Sequence, residues 1–237
     1  MTDPLPLETA EPPPKRAGLA LPLSVFVDPA RAFALVLATR EWLPAYLILV
    51  VLGLAEVYLV APALTHLVVT DPRAAASSAA TAAQQASTDL VIQAAWGVVG
   101  PLILWGFVAT LLAATAIAGR GGLGTYALYF SLCLNCALPA ELGSLLYAAA
   151  IRLRDPATFH SANDFATALP LSLAVLHPHG SPPEIAFLSY WDVFTMWSLV
   201  LLGCGYAAIA KMRLVPALLL VLGIGLMLAL VHVDSGT

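Results

Sequence analysis

The chain has 237 residues, of which 60% are hydrophobic and only 10% are charged, and its mean hydropathy is +0.89. A soluble domain carries about 25% charged residues, so this composition excludes a fold that covers itself with polar surface and predicts an integral membrane protein. The formal net charge of −4 is small, which excludes a strongly basic surface for binding nucleic acid.

Residues 1–23 are acidic and proline-rich, and they lack the early apolar core and cleavage site of a secretory signal. This composition predicts a disordered cytoplasmic tail. We expect a five-helix membrane domain over residues 24–233 to follow, and then a short external tail, 234–237.

A short helix is predicted ahead of the first spanning segment. Asp28 and Pro29 have the pattern of an N-cap followed by proline at the first helical position. We expect residues 29–40 to form an interfacial helix at the cytoplasmic membrane surface, with Arg31 near the lipid headgroups. The alternative is a cytoplasmic extension of the first spanning helix, which the nearby Pro44 makes less favourable.

Five segments are long and apolar enough to span a bilayer, which requires about 20 residues. They are residues 42–66, 90–118, 125–153, 187–210 and 214–233. The predicted fold class is therefore an all-α integral membrane protein with five transmembrane helices and a short N-terminal interfacial helix. The longest connection is the loop 154–186, in which a short helix is predicted over 165–176, interrupted by Pro170.

Two connections between spanning segments are very short. Residues 119–124 form a glycine-rich turn between the second and third segments, and Lys211–Arg213 joins the fourth to the fifth. Such short loops make each pair antiparallel neighbours. Small residues that permit close approach of two backbones recur on the last two segments, at Gly203, Gly205, Gly223 and Gly225.

The distribution of basic residues predicts the orientation of the chain. With the N-terminus in the cytoplasm, the cytoplasmic side receives Lys15, Arg16, Arg31, Arg40, Arg120, Lys211 and Arg213. The outer side receives Arg73, Arg152 and Arg154. This excess agrees with the positive-inside rule and places the C-terminus outside.

Three acidic residues fall inside the predicted spanning segments, at Glu56, Glu141 and Asp192. An acid in a spanning helix costs about 2.5–3.5 kcal/mol on insertion scales, so each one requires a structural or functional reason. At about 1.5 Å per residue, all three lie in the outer half of the membrane. Arg152, near the outer end of the third segment, is placed to pair with Asp192. These four residues are predicted to form one intramembrane polar cluster.

Two interpretations of this cluster are open. If it is polar glue between helices, every carboxylate should be paired. If it is a pocket that opens outward or into the outer leaflet, at least one carboxylate should face a cavity and bind a lipid headgroup, a proton or a small cation.

Cysteine and histidine spacing gives little support for a metal or redox site. Cys133 and Cys136 lie one turn apart on the third segment, but the chain has no second pair of this kind. His177 and His179 lie in the longest loop, and two ligands are too few for a structural zinc site. We therefore expect no metal and no cofactor, and we interpret the cysteines as small packing residues.

Three stretches of the chain resemble the bacterial branch of the Yip family (Ypt-interacting proteins) of integral membrane proteins. Residues 25–33 resemble the N-terminal entry of that family through Pro29 and Phe33. The glycine turn at 121–124 stands where the family has a short glycine-bearing loop before its third helix. Residues 192–205 resemble its fourth helix through Asp192, Phe194, Trp197, Gly203 and Gly205.

The resemblance implies a five-helix membrane domain with a cytoplasmic N-terminus. Eukaryotic members of the family bind Rab-type GTPases and help membrane traffic, and some prokaryotic members are implied to assist export complexes. The present chain lacks the long acidic cytoplasmic region with the Asp-Leu-Tyr-Gly-Pro pattern of the eukaryotic members. A GTPase partner is therefore doubtful.

We therefore expect a non-catalytic scaffold or accessory subunit of the inner cell membrane, which acts through helix contacts or lipid organisation. Its expected partners are membrane lipid and either another membrane protein or a second copy of the chain. The alternative is a small transporter or channel-like protein whose carboxylates bind a cation or proton, although the chain has no inverted repeat. A lipid-modifying enzyme is a third possibility, but no known nucleophile or metalloprotease motif is present.

Overall fold

A computed structural model describes residues 16–70, 79–119, 125–160, 164–165, 167–177 and 179–235. The α-helices of this part are α1 Ala20–Val27, α2 Pro29–Thr39, α3 Leu43–Thr70, α4 Ala79–Ala118, α5 Tyr126–Arg152, α6 Pro182–Tyr190, α7 Val193–Ala210 and α8 Leu214–Ser235. The predicted glycine turn at 121–124, most of the predicted N-terminal tail (1–15) and the last two residues lie outside the described residues.

Five helices of the described part are long and apolar enough to cross a membrane, which confirms the predicted fold class. They are Leu43–Thr70, Gln84–Ala118, Tyr126–Arg152, Val193–Ala210 and Leu214–Val233. α4 begins at Ala79, well before the predicted start at Leu90, because the preceding alanine-rich stretch has a high helix propensity.

The predicted fourth spanning helix, 187–210, is divided in two. α6 ends at Tyr190 and α7 begins at Val193, because the backbone between them pairs with a distant segment. The Val193 N–H donates to the Leu171 carbonyl, and the Trp191 carbonyl accepts from the Leu173 N–H, each at 3.2 Å. The same pairing ends the predicted helix 165–176, which is replaced by turns around Pro170 and a 3-10 turn at Leu173–Leu176.

α5 is the central helix of the bundle. Just over half of its apolar stretch (56%) is buried, compared with 17% for α3 and for α4. α3, α4 and α7 pack against it, and α1 and α2 cover a further part of its surface. Residues 131–139 of α5 are buried on all sides. The middle of α5 therefore contacts protein rather than lipid.

α1 and α2 form a helical hairpin that packs against α5 and α7. Its inner face is buried at Leu21, Val25, Ala32 and Val36. At the tip, Asp28 Oδ1 accepts the backbone N–H of Arg31 at 3.1 Å and caps α2, with Pro29 at the first helical position. The capping pattern predicted at Asp28 is therefore confirmed.

The tip of this hairpin lies beside the spanning helices α5 and α7, well away from the end of α7 at Ala210. Phe26 meets Trp197 of α7 edge to face, with ring centroids 5.7 Å apart. Trp197 precedes the end of α7 at Ala210 by about 13 residues, which corresponds to roughly 20 Å of helix. Phe26 also packs against the buried cluster that α3 and α5 form with Ala45, Leu49, Leu134, Ala137 and Leu138.

The short apolar helix predicted at 29–40 is therefore present, as α2 Pro29–Thr39. α2 packs against α5 and α7, because α1 turns back into it and both helices bury an apolar face against the bundle. α1 begins at Ala20, inside the stretch 1–23 that was predicted to be a disordered tail.

The base of the hairpin is closed by Glu41. Its carboxylate Oε2 accepts the backbone N–H groups of Ala17 at 3.0 Å and Gly18 at 2.8 Å. The Glu41 carbonyl accepts the hydroxyl of Ser131 on α5. These bonds join the start of α1, the end of α2 and the central helix at one place.

Candidate functional site

Glu141 of α5 lies where three spanning helices meet. Its Oε1 is 3.2 Å from the position that a Cβ atom would take at Gly53 of α3. That same position is 3.6 Å from the Cα of Gly97 on α4. The two glycines let α3 and α4 approach closely, and the space beside Gly53 is occupied by the Glu141 carboxylate.

Glu56 lies one turn further along α3, close enough for its charge to act on the Glu141 carboxylate. Both side chains are half-buried. Within the described residues, neither carboxylate accepts a hydrogen bond or forms an ion pair. Two unpaired carboxylates near one low-dielectric junction repel each other when both are ionised.

The predicted four-residue cluster therefore divides into two parts. Glu56 and Glu141 lie together, but Arg152 and Asp192 do not form the predicted ion pair. Arg152 is exposed in the last turn of α5, where its charge complements the helix dipole, and it makes no ion pair with any residue that the structure describes. The pair fails because the Asp192 carboxylate is committed to the start of α7.

Asp192 is the N-cap of α7. Its Oδ1 accepts the backbone N–H groups of Phe194 at 2.7 Å and Thr195 at 2.9 Å, and its Oδ2 accepts the Thr195 hydroxyl at 2.9 Å. These bonds satisfy N–H groups that have no acceptor within the helix. The acid that was predicted inside a spanning helix thus has a structural role at its end.

We expect Asp192→Ala to lower the stability of the detergent-solubilised protein by about 1–2 kcal/mol, because α7 loses its cap. Asp192→Asn should retain most of the stability, since asparagine also caps helices well. Arg152→Ala should lower the thermal unfolding midpoint much less than Asp192→Ala does, because it removes only a favourable interaction with the helix dipole. A large loss of stability in Arg152→Ala would indicate that Arg152 does form the ion pair with Asp192. An unaltered midpoint in Asp192→Ala would contradict the capping role of Asp192.

Buried polar groups near Asp192 were missed by the sequence analysis. The hydroxyls of Tyr147 and Ser172 are buried close to each other, yet neither has the geometry of a hydrogen bond to any described group. Burial, and then the Asp192 carboxylate, raise the pKa of Tyr190 to about 12, so its hydroxyl stays protonated at neutral pH. Ser172 and Asp192 are brought together by an isolated β-bridge, which leaves no periodic signal in the sequence.

The two stretches that carry most of the Yip-like motif residues contact each other. Phe33 of α2 lies against Gly205 of α7, with its Cε1 atom 2.8 Å from the position of a Cβ at Gly205. Trp197 of α7 meets Phe26 at the hairpin tip. The motif residues therefore hold the hairpin against α7.

The expected close packing between the last two spanning helices is confirmed at two glycines. A Cβ at Gly203 would lie 2.5 Å from Leu218 Cδ2, and one at Gly225 would lie 2.8 Å from Leu199 Cδ1. The motif residue Phe194 packs in the same way on Gly143 of α5, within 2.7 Å of its Cβ position.

Gly223 is different from these glycines, because, apart from the adjoining residues and backbone of its own helix, no atom of the described structure lies within 4 Å of its Cβ position. It is exposed on the outer side of α8.

Cys133 and Cys136 are fully buried within α5, where they pack in the main apolar core. In the part of the chain that the structure covers, no group of three or more His, Cys, Asp or Glu side chains is placed to hold a metal ion.

Comparison of the chain with protein-family models, with curated proteins and with solved structures gave no significant match.

Proposed function

We propose that this protein is a non-catalytic scaffold or accessory subunit of the inner cell membrane, with its N-terminus in the cytoplasm and its C-terminus outside. It acts by binding a spanning helix of another membrane protein. The observation that carries this proposal is an unfilled groove on the outer face of α7 and α8.

The groove has two adjoining parts of about 330 Å³ and 380 Å³. Its lining is almost entirely apolar and comprises Trp191, Met196, Leu199, Val200, Val215, Leu218, Leu219, Leu222, Gly223 and Leu226. A surface of this kind within the bilayer is suited to another helix or to lipid acyl chains.

Gly223 favours a helix as the occupant. A glycine in a helix interior costs about 1 kcal/mol relative to alanine, so its presence requires a compensating contact. Helices in membranes associate closely where small residues let their backbones approach. Gly203 and Gly225 serve packing inside the chain, whereas Gly223 leaves a notch on the lipid-facing side near the middle of α8.

We expect Gly223→Leu to abolish the capture of a partner protein, because the added side chain fills the notch. The experiment is purification of the tagged full-length protein from its own membranes in a gentle detergent, followed by mass spectrometry. Ala114→Leu is the control, because it places the same leucine side chain at an exposed position of α4. A stoichiometric partner that is retained by Ala114→Leu and lost in Gly223→Leu supports the proposal. Purification without any membrane-protein partner would contradict it.

Membership of the Yip family belongs to the same proposal. It is supported by the contacts that the motif residues make between the hairpin and α7. In that case the proposed partner is a subunit of an export complex. A GTPase partner remains outside the proposal, since the acidic region associated with GTPase binding is missing from the sequence.

A second candidate function is binding of a proton or small cation by Glu56 and Glu141, as in a small transporter or channel-like protein. It is favoured by the adjacent carboxylates, which have no hydrogen-bond or ion-pair partner among the described residues. If the two carboxylates were polar glue between helices, each would have a hydrogen-bond partner. Glu41 and Asp192 have such partners elsewhere in the bundle, since each accepts backbone N–H groups.

A further inference from the structure

The outer face of α2 carries charged side chains beside the middle of the bundle. Asp28, in the connection between α1 and α2, and Arg31, in the first turn of α2, are both exposed. Arg31 precedes Arg40, at the base of the hairpin, by about nine residues, or roughly 14 Å of helix. Because the tip of the hairpin packs beside Trp197, within the apolar span Val193–Ala210, this face lies level with the spanning helices.

Charged side chains at this depth rarely face lipid, since desolvation is costly, and they normally face protein or water. Arg31 forms no ion pair with any residue of the described structure. Asp28 uses Oδ1 for the backbone N–H of Arg31, and Oδ2 has no hydrogen-bond donor within the same part of the chain. Among the described residues, this face therefore carries a carboxylate oxygen of Asp28 without a hydrogen-bond donor and an Arg31 guanidinium without an ion-pair partner.

The same face is smooth enough for close contact with another helix. Ala30, Ala34 and Ala38 are exposed along it at intervals of four residues, with the exposed Leu37 beside them. Such a stripe of small residues permits two helix backbones to approach closely in a membrane.

We propose that this face of α2 binds α2 of a second copy of the chain, so that Asp28 of each copy pairs with Arg31 of the other. All copies in one membrane have the same orientation, so the two α2 helices would be related by a two-fold axis along the membrane normal. A two-fold interface brings the same patch of both copies together and requires it to be self-complementary. An acid and a base three residues apart on one face meet this requirement, and the symmetry forms the ion pair twice.

This dimer uses α2 and leaves the groove on α7 and α8 open. It therefore goes beyond the proposed scaffold function, and either can fail without the other.

The first test is cysteine cross-linking in native membranes, in a Cys204→Ala background. Ala34→Cys on α2 should yield a cross-linked dimer of the chain with a short thiol cross-linker. Ala208→Cys, at an exposed position of α7, is the matched control and should yield none. Equal cross-linking from both positions, or a product of Ala34→Cys that contains a different protein, would overturn the proposal.

The second test measures the dimer directly, by single-molecule photobleaching of labelled protein in phosphatidylethanolamine–phosphatidylglycerol liposomes. Arg31→Ala and Asp28→Asn should each weaken the dimer about tenfold or more. Asparagine keeps the cap on α2, so Asp28→Asn removes the charge without removing the helix start. Arg213→Ala, at an exposed position outside α2, should leave the dimer unchanged. A monomeric wild-type chain, or a dimer that tolerates both charge removals, would overturn the proposal.

Discussion

We expect Gly205→Leu to destabilise the protein by roughly 3 kcal/mol or more, the largest loss among the substitutions considered. At Gly205 three elements meet, since a Cβ there would lie 2.5 Å from Leu132 Cδ1 of α5 and 2.8 Å from Phe33 Cε1 of α2. A leucine cannot be placed without moving α2 away from α7. The hairpin should therefore loosen together with the central packing. The measurement is thermal unfolding of the purified protein in detergent.

Gly223→Leu is the matched control for this prediction. It introduces the same side chain at a glycine of α8 that has no neighbour within 4 Å, so the unfolding midpoint should not fall. If both variants lose stability equally, leucine is harmful for a reason unrelated to the hairpin. If Gly205→Leu is as stable as wild type, α2 does not pack on α7 as described.

The second large effect is expected at Glu141, and it has the opposite sign. Glu141→Leu should raise the stability of the ligand-free protein by up to about 3 kcal/mol, because it removes an unpaired acid from a spanning helix. The same variant should abolish any uptake of protons or cations into proteoliposomes that the wild-type chain catalyses. A residue kept for binding a ligand commonly has such a cost in stability.

Glu141→Gln separates charge from shape in this experiment. It should also lose any cation or proton uptake, with a smaller gain in stability because the amide is still polar. A clear loss of stability in Glu141→Leu would identify the carboxylate as glue between α3, α4 and α5. Uptake that persists in both variants would remove the second candidate function.

The spanning helices were predictable because hydropathy and length alone determine them. The central position of α5 was not, since all five segments are apolar and the pattern does not tell which one is surrounded by protein. The division between α6 and α7 was also missed. It depends on the pairing of residues 171–173 with the backbone at 191–193, and this contact joins two irregular segments.

The hairpin was predicted only in part. Asp28 and Pro29 mark the start of α2 in the sequence, but the same pattern fits a helix on the membrane surface. What places α2 inside the bundle is the burial of Leu21 and Val25 on the preceding helix, which has no periodic signal over its eight residues.

The four polar residues were predicted to form one site, but the structure separates Arg152 and Asp192 from Glu56 and Glu141. Sequence position gives the depth of a residue along a helix, but not the direction in which its side chain points. Glu56 and Glu141 happen to face the same junction. Asp192 instead accepts hydrogen bonds from the neighbouring backbone N–H groups of Phe194 and Thr195. Its carboxylate therefore caps α7 and does not pair with the exposed Arg152.

The most direct test of this account is the depth of the hairpin tip in the membrane, measured by spin labelling in liposomes. Labels are attached to Val27→Cys at the tip, to Val200→Cys in the middle of α7 and to Val215→Cys near the start of α8, all of them exposed positions. We predict that the labels at 27 and 200 are accessible to oxygen and protected from a water-soluble nickel complex, while the label at 215 is less protected. A label at 27 that is as accessible to nickel as the one at 215 would place the hairpin at the membrane surface. That result would contradict both the packing of the hairpin tip beside Trp197 and the dimer contact built on it.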